Sequence, residues 1–411
     1  MRIVVHDYAG HVGQIEVSRE LARRGHEVLH LYAAGLETPR GDLTRNASDP
    51  AGFDVQPIHF GGVFQKHNYF KRQLQELGYG APLVRAVLAF APDAVLSANT
   101  PLFPQARLQW ACRRAGLGFI FWMTDMYGLA VHEVLSRKLG LAGDMIGRFY
   151  KWLERALLRS ADGVIVIADR FNDILSGWRL GRDDIVVIPV CAPFKAIGVG
   201  DKDNAWSRAQ GVSQTLNVLY SGTLGHKHNP DLLVAVAEAL RSRSDARVLV
   251  ISEGPGADYV RARQVEKALP NLSVLPFQPF DQLSNVFASM DVLLAVLEED
   301  AGNFSIPSKV LSHLCAGRAQ VLAVSNENAV AQLMSASGAG LAVPPQDEAG
   351  FVDKVVGLLD DPAARQRMGA DGRAYAERTY DVRRLGDDYV ALIEKVVDQR
   401  LAIDSPGQAI G

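Results

Sequence analysis

The residues best equipped for chemistry sit in loops that follow apolar runs. In one, Glu298-Glu299-Asp300 leads through Gly302 and Asn303 to Ser305-Ile306-Pro307-Ser308-Lys309, where a helical pattern begins. Proline suits the first turn of a helix, Ser305 or Ser308 can cap it, and Val310, Leu311, Leu314 and Cys315 fall on one face. A helix N-terminus offers unpaired amides and the positive end of its dipole, so it favours an anion such as a phosphate. Lys309 adds a full positive charge in that first turn, a poor place for a lysine unless an anion offsets it. A second loop, Gly222-Thr223-Leu224-Gly225-His226-Lys227, precedes another helical stretch and carries Lys227 inside it, the pattern of a phosphate cradle. A third brings Glu253 and Gly254, and Phe277 follows the short run 272–275. Taken singly, each is equally an ordinary strand-to-helix turn with a solvated lysine; together they would converge on the carboxyl edge of one sheet, where a phosphate could bind.

The first half repeats the theme with less charge. Strand-like residues 2–6 lead into Gly10-His11-Val12-Gly13 and a helix. Here the glycines either permit the turn or let a ligand approach the backbone. The loop lacks the third glycine of the dinucleotide fingerprint and no acid ends the next strand, which argues against NAD. Asp125, just past the apolar run 118–123, is placed to orient a hydroxyl or act as a base; a helix cap is the plainer role.

Positioning these loops requires alternating strands and helices. Strands are expected at 2–6, 27–32, 94–97, 118–123, 163–167 and 185–188, then at 216–220, 247–251, 272–275, 292–297, 321–324 and 340–343, with helices between many of them. That alternation predicts α/β architecture with parallel sheets. At 411 residues the chain suits two domains. We place an N-terminal domain at 1–191, a connection at 192–215, a second domain at 216–384, a last helix at 385–400 and a flexible tail at 401–411. Residues 52–80 read as loop-rich, and 362–384 as one helix.

Composition narrows the function. The formal charge of −3 argues against a nucleic-acid partner. Residues 1–200 carry about +4 and the rest about −7, so the first half is the better match for an anionic surface. Within 60–72, Phe60, Phe64, Lys66, His67, Tyr69, Phe70, Lys71 and Arg72 mix aromatic and basic side chains. Such a stretch can lie in a lipid headgroup layer, on the inner leaflet in this case; the plainer reading is a helix with core aromatics. Cys112, Cys191 and Cys315 are odd in number and without ligand spacing, as expected of buried thiols in a reducing compartment. No charged-then-apolar leader opens the sequence and no run reaches the roughly 18 residues of a spanning helix, so a cytoplasmic protein is expected.

Over nearly its whole length the chain resembles the family 4 retaining glycosyltransferases with the GT-B fold. The likeness rests on the loop at Gly10 to Gly13, "LERALLRSADGVIVIADRF" from Leu153, "VLYSGTLGHKHN" from Val218, "ISEGPG" from Ile251 and "SIPSKVLSHLCAGRAQVLA" from Ser305. The last is the most specific, and it looks like the bacterial exopolysaccharide and O-antigen branch, including the colanic-acid type. The resemblance implies two Rossmann-like domains facing across a cleft, closure between them, the acceptor on the first and a nucleotide-sugar donor on the second, with the last helix crossing back. It implies transfer with retention, Asp125, Lys227 and Lys309 as catalytic groups, a saccharide or lipid-linked saccharide acceptor, and no cofactor or obligatory metal. It assigns the donor to Gly222, Thr223, Leu224, Gly225, Glu253, Gly254, Phe277, Glu298, Ser305, Ile306, Pro307, Ser308 and Lys309. The sequence departs from the family pattern where Phe304 and Ser312 replace paired glutamates, Thr223 an arginine, and Thr124-Asp125 a His-Asp pair. Those departures leave Glu298, Glu299 and Asp300 as the acids nearest the ribose role. A nucleotide-sugar epimerase and a noncatalytic nucleotide-sugar-binding subunit are the alternatives.

Overall fold

The computed structural model describes residues 1–36, 41–60, 69–178, 180, 185–225, 228–296 and 308–404. It divides into two units, Met1–Cys191 with Val382–Gly411, and Ala192–Asp381. The first contains β1 (Arg2–Asp7), α1 (Val12–Arg23), β2 (Glu27–Ala33), β3 (Phe53–Ile58), α2 (Tyr69–Phe90), β4 (Ala94–Ala98), α3 (Leu102–Arg114), β5 (Gly118–Met123), α4 (Tyr127–Ser160), β6 (Gly163–Val166), α5 (Asp169–Gly177) and β7 (Ile185–Val187). The strands form one all-parallel sheet in the order β3-β2-β1-β4-β5-β6-β7.

Period-two alternation divides its side chains between two layers. Ile3, Val5, Ile120 and Trp122 pack with α1 and the C-terminal helix, where Trp122 meets the Tyr389 ring at 5.1 Å. Val4, Phe119, Phe121 and Met123 face α2, α3 and α4. Strands covered on both sides must be apolar throughout, which is why residues 94–98 and 118–123 read as continuous runs.

The second unit continues with α6 (Ala205–Ala209), β8 (Leu216–Ser221), α7 (Asp231–Ala239), β9 (Ala246–Ile251), α8 (Pro255–Glu266), β10 (Leu272–Leu275), α9 (Leu283–Ala288), β11 (Val292–Val296), α10 (Ser308–Ala316), β12 (Ala319–Ala323), α11 (Ala329–Ser337), β13 (Gly340–Val343), α12 (Glu348–Asp360) and α13 (Pro362–Tyr380). Its parallel sheet runs β10-β9-β8-β11-β12-β13. The final helix, α14 (Val382–Asp404), belongs to the first unit.

Several elements differ from the sequence reading. The described residues of 52–80 are mostly not loop: they supply β3 and the start of α2. β3 lies at the sheet edge, where Pro57 is tolerated, and Gly78, Gly80 and Pro82 mask the periodicity of α2. The stretch read as a connection holds α6, begun by an Asn204–Ser207 capping box and anchored by buried Trp206. The helix read at 362–384 is two, parted at Asp381, whose backbone is extended.

The fourth helix is a hairpin. Gly140 departs from helical geometry at φ 56°, ψ −130°, and the arms on either side fold back on each other. A Cβ on Gly143 would overlap the Leu135 carbonyl, and one on Gly147 the His132 ring. His132 Nε2 also pairs with Asp144 Oδ1 at 2.8 Å across the arms. Gly143→Val is therefore expected to lower unfolding free energy in urea by about 3 kcal/mol through overpacking. An unchanged midpoint would show that the arms do not pack this closely.

Candidate active site

An open parallel sheet leaves a crevice beyond the carboxyl ends of its strands wherever the strand order reverses. Here the reversals lie between β1 and β4 in the first unit and between β8 and β11 in the second. At each, the chain places its polar loops.

In the second unit β8 ends at Ser221 and turns at Gly222, whose φ of 136° is strained for any residue with a side chain. The first turn of α10 brings Lys309 against this turn. Its Nζ donates to the Tyr220 hydroxyl at 2.9 Å and lies 4.0 Å from the centre of the Tyr220 ring, and a Cβ on Gly222 would come within 3.0 Å of it. The Tyr220 hydroxyl in turn donates to the Thr223 carbonyl at 2.9 Å. Lys309 as a residue is half-buried, but its ammonium end is enclosed, and that burial draws its pKa down to about 7. No ion pair joins it to a carboxylate among the described residues.

The neighbouring loop closes on the first. A Cβ on Gly256 would lie 2.5 Å from the Leu224 Cβ and carbonyl oxygen. Gly225 donates its N–H to His228 Nδ1 at 3.0 Å, and Glu253 Oε1 accepts from the Phe277 N–H at 3.1 Å. Gly254 stands at the N-cap of α8 with Pro255 in its first turn, while Glu253 and Phe277 remain exposed. The result is a shelf of exposed backbone with a buried cation at its back.

In the first unit the corresponding edge is built around Asp7. Its carboxylate accepts from the His11 N–H at 2.5 Å and from Asn99 Nδ2 at 2.7 Å. Asn99 Nδ2 also lies 3.2 Å from His11 Nδ1, and the Thr124 hydroxyl donates to Asn99 Oδ1. Burial pushes the Asp7 carboxyl up, against the pull of His11 and Asn99. Beneath it, neutral His6 joins Ser97 at 3.0 Å and Tyr79 at 2.9 Å; burial lowers its pKa to about 3.

Comparison with known proteins decides what this architecture is. The family model "Glycosyl transferase 4-like domain" matches residues 14–191 and "Glycosyl transferases group 1" matches 215–361. The chain is a family 4 glycosyltransferase. WcaI of Escherichia coli K12, assigned to colanic acid biosynthesis as a glycosyl transferase, is 22% identical over 297 residues, 71% of each chain. Among solved structures, sucrose-phosphate synthase from Thermosynechococcus elongatus superposes with a TM-score of 0.71 at 15% identity, covering 97% of this chain and 100% of that one. Anabaena HepE, solved with UDP and glucose, gives 0.67 at 13% identity over 96% and 99%. These likenesses establish the GT-B fold.

Of the residues singled out from sequence, the glycosyltransferase brings Gly222, Thr223 and Lys309 together, with Leu224 buried beneath and Gly254 on the adjoining loop. Ser308 opens α10. Lys227, Glu298, Ser305, Ile306 and Pro307 lie outside the described residues. Gly10, at φ 75°, makes the turn after β1, His11 joins the Asp7 cluster, and Val12 starts α1. Gly13 is required by packing: a Cβ there would lie 2.7 Å from Val190 Cγ1. Asp125 is exposed beside Thr124.

Sequence reasoning missed Tyr220, Asp7, Asn99 and Glu154. Asp7 ends β1 and Asn99 follows β4, and that position was the available signal. Glu154, on the second hairpin arm, accepts the Gly128 N–H at 3.0 Å and that of Tyr127, and so caps the first turn of α4 directly behind Asp125. Burial, aided by Asp125 and opposed by those two amides, raises its pKa from 4.5 to about 7. The folded state therefore binds a proton more tightly than the unfolded chain. This contribution to stability is full below about pH 4.5 and is lost as the pH rises to about 7. Glu154→Gln, which keeps an oxygen acceptor, is expected to match the parent near pH 4.5 and to exceed it at pH 8 by up to about 3 kcal/mol in denaturant melts. A deficit at both pH values would mean that the geometry of the carboxylate outweighs its charge.

Proposed function

We propose that this glycosyltransferase moves a sugar, with retention of anomeric configuration, from a nucleoside-diphosphate donor to a saccharide or lipid-linked saccharide acceptor in bacterial surface polysaccharide synthesis. UDP-sugars are the first donors to test, in keeping with the UDP held by the HepE structure, and the likeness to WcaI supports the polysaccharide setting. The observation that carries the reading is the enclosed Lys309 ammonium at the Gly222 turn, short of a described counter-charge.

In such a transfer the bond from the anomeric carbon to the diphosphate oxygen breaks as a bond to the acceptor oxygen forms on the same face. The acceptor proton passes to the departing diphosphate, so no strong protein base is needed. The protein's task is to stabilise the negative charge that grows on the diphosphate. Lys309 meets it with a desolvated amine whose charge is completed by the proton taken up as the donor binds, and the backbone amides of the Gly222 loop and the start of α10 add preorganised dipoles. Lys227 is assigned a second cation and Asp125 an orienting contact to the acceptor. Glu253, Gly254, Phe277, Glu298, Ser305, Ile306, Pro307 and Ser308 complete the donor contacts. Lysines and amides suffice to neutralise a diphosphate, so no metal is required in this scheme, and turnover should survive excess EDTA.

Two measurements test the reading. Across a panel of UDP-, GDP- and ADP-sugars, one donor should bind and be turned over with retention, and Lys309→Ala should weaken its binding by roughly 1.5 to 3 kcal/mol. Indifference to that substitution removes Lys309 from the donor site. The second is proton uptake. A diphosphate draws the lysine pKa back up from about 7, so binding at pH 8 should take up about 0.9 proton per site, read by calorimetry in buffers of different ionisation enthalpy. Affinity should be flat below pH 7 and fall toward tenfold per pH unit above it, and both effects should vanish in Lys309→Met. Uptake that persists in Lys309→Met would assign the proton to another group.

A further inference from the structure

The α4 hairpin leaves an apolar surface that no described element covers. Beyond Gly140, Leu141, Met145, Phe149 and Trp152 recur at intervals of four, four and three residues, which sets them along one side of the second arm. Leu141 is 89% exposed, Met145 72% and Trp152 62%. Leu139, on the other side of the bend, is also exposed, as are Gly140 and Ala142, so the apolar residues form a convex tip. The stripe is firmly held at its base, where Phe149 stacks on Phe103 at 6.4 Å and touches Trp152 at 5.8 Å. From Leu141 to Trp152 it runs about 16 Å along the arm.

The charge around it is net positive, four cations standing against the acids Glu133 and Asp144. Arg137 and Lys138 precede the tip, and Arg148 and Lys151 follow it about two to three turns back. The nearby acids are already engaged, Glu133 by Arg137 and Asp144 by His132 and Arg148. Self-association through this face would set those four cations against their own copies across a two-fold axis. A convex apolar tip also has nothing to offer a flat aqueous surface, whereas a ring of cations behind an apolar end matches the layering of a bilayer: phosphate outside, hydrocarbon within. We infer that the α4 hairpin docks this enzyme on an anionic lipid surface. Leu139, Leu141 and Met145 enter the boundary between headgroups and acyl chains, and Arg137, Lys138, Arg148 and Lys151 lie at the phosphates. No helix of the described residues is long and apolar enough to cross a membrane, so this is contact with one leaflet. The surface is separate from the stretch 60–72 considered from sequence, of which 61–68 lie outside the described residues. It is also independent of which donor the enzyme takes.

The test is flotation of the full chain with vesicles of phosphatidylcholine alone and of phosphatidylcholine with about 30% phosphatidylglycerol, at low and at about 0.5 M salt. The parent should float with the anionic vesicles at low salt and bind the neutral ones at least tenfold more weakly. Leu141→Ser with Met145→Ser, both at exposed positions, should melt like the parent and lose at least tenfold in partitioning. Arg137→Gln with Lys138→Gln should lose several-fold on anionic vesicles, a difference that disappears at high salt. Failure of the parent to float, or flotation unmoved by the Leu141 and Met145 changes, overturns the inference. So does the absence of vesicle binding together with a dimer in sedimentation velocity that those same changes dissolve, which would give the face to a second copy.

Discussion

An ammonium group withdrawn from water has to be met by electrons from somewhere, and much of the second unit is arranged around that requirement at Lys309. The Tyr220 ring and hydroxyl supply part of it, and the hydroxyl can do so because its own proton goes to the Thr223 carbonyl. That chain of contacts fixes the loop after β8, and the loop must turn at a residue without a side chain, since the space a Cβ would need is taken by the lysine itself. Gly256 then lets Leu224 lie against the next loop. None of these groups carries negative charge, so the cation is held without being neutralised. A site that held it with a carboxylate would be more stable and less ready for a diphosphate, the trade seen wherever function requires a poised charge.

How much of this could be read from the sequence follows from how each element is buried. Strands covered on both faces must be apolar along their whole length, so β1, β5, β8 and β11 were visible, and with them the carboxyl edges where chemistry collects. Elements with less to bury left less to see. Only Ala257 and Val260 of α8 are buried, and its remaining apolar residues are spread around the helix, which leaves no period to detect. At the edge of its sheet, β3 alternates only weakly and contains a proline. The hairpin was hard to see because its bend at Gly140 throws the two arms out of phase: a single helical period cannot fit both.

The site was legible to the extent that residue type alone declares a role. A lysine in the first turn of a helix and a glycine closing a strand are each conspicuous, and they proved to be neighbours. Tyr220 was not, because within a run of core residues a tyrosine looks like packing, and its hydroxyl matters only once Lys309 is known to reach it. The Asp7 cluster was hidden for a different reason. Asp7, Asn99 and Thr124 come from the ends of β1, β4 and β5, and nothing in a linear reading states that β4 lies beside β1. Strand order is a property of the crossover connections, and the reversal that makes the crevice is the feature a one-dimensional pattern lacks.

Glutamate at position 154 shows the same limit from the other side, and it explains why the hairpin exists in this form. On a helical wheel it is one more charged residue of an amphipathic arm; in the folded chain it is buried and turned toward the first turn of its own hairpin, where two amides would otherwise lack partners. Burying a carboxylate is costly, and the cost is met only if the arms approach closely enough for both hydrogen bonds to form. Gly143 and Gly147 make that approach possible. A hairpin so tightly joined at its base cannot roll its apolar stripe inward to hide it, because the rotation that buried Leu141 and Met145 would pull Glu154 from the amides it caps. Satisfying the polar end therefore fixes the apolar end in the open. Exposure of the tip is thus a built consequence of how the loop beside Asp125 is held.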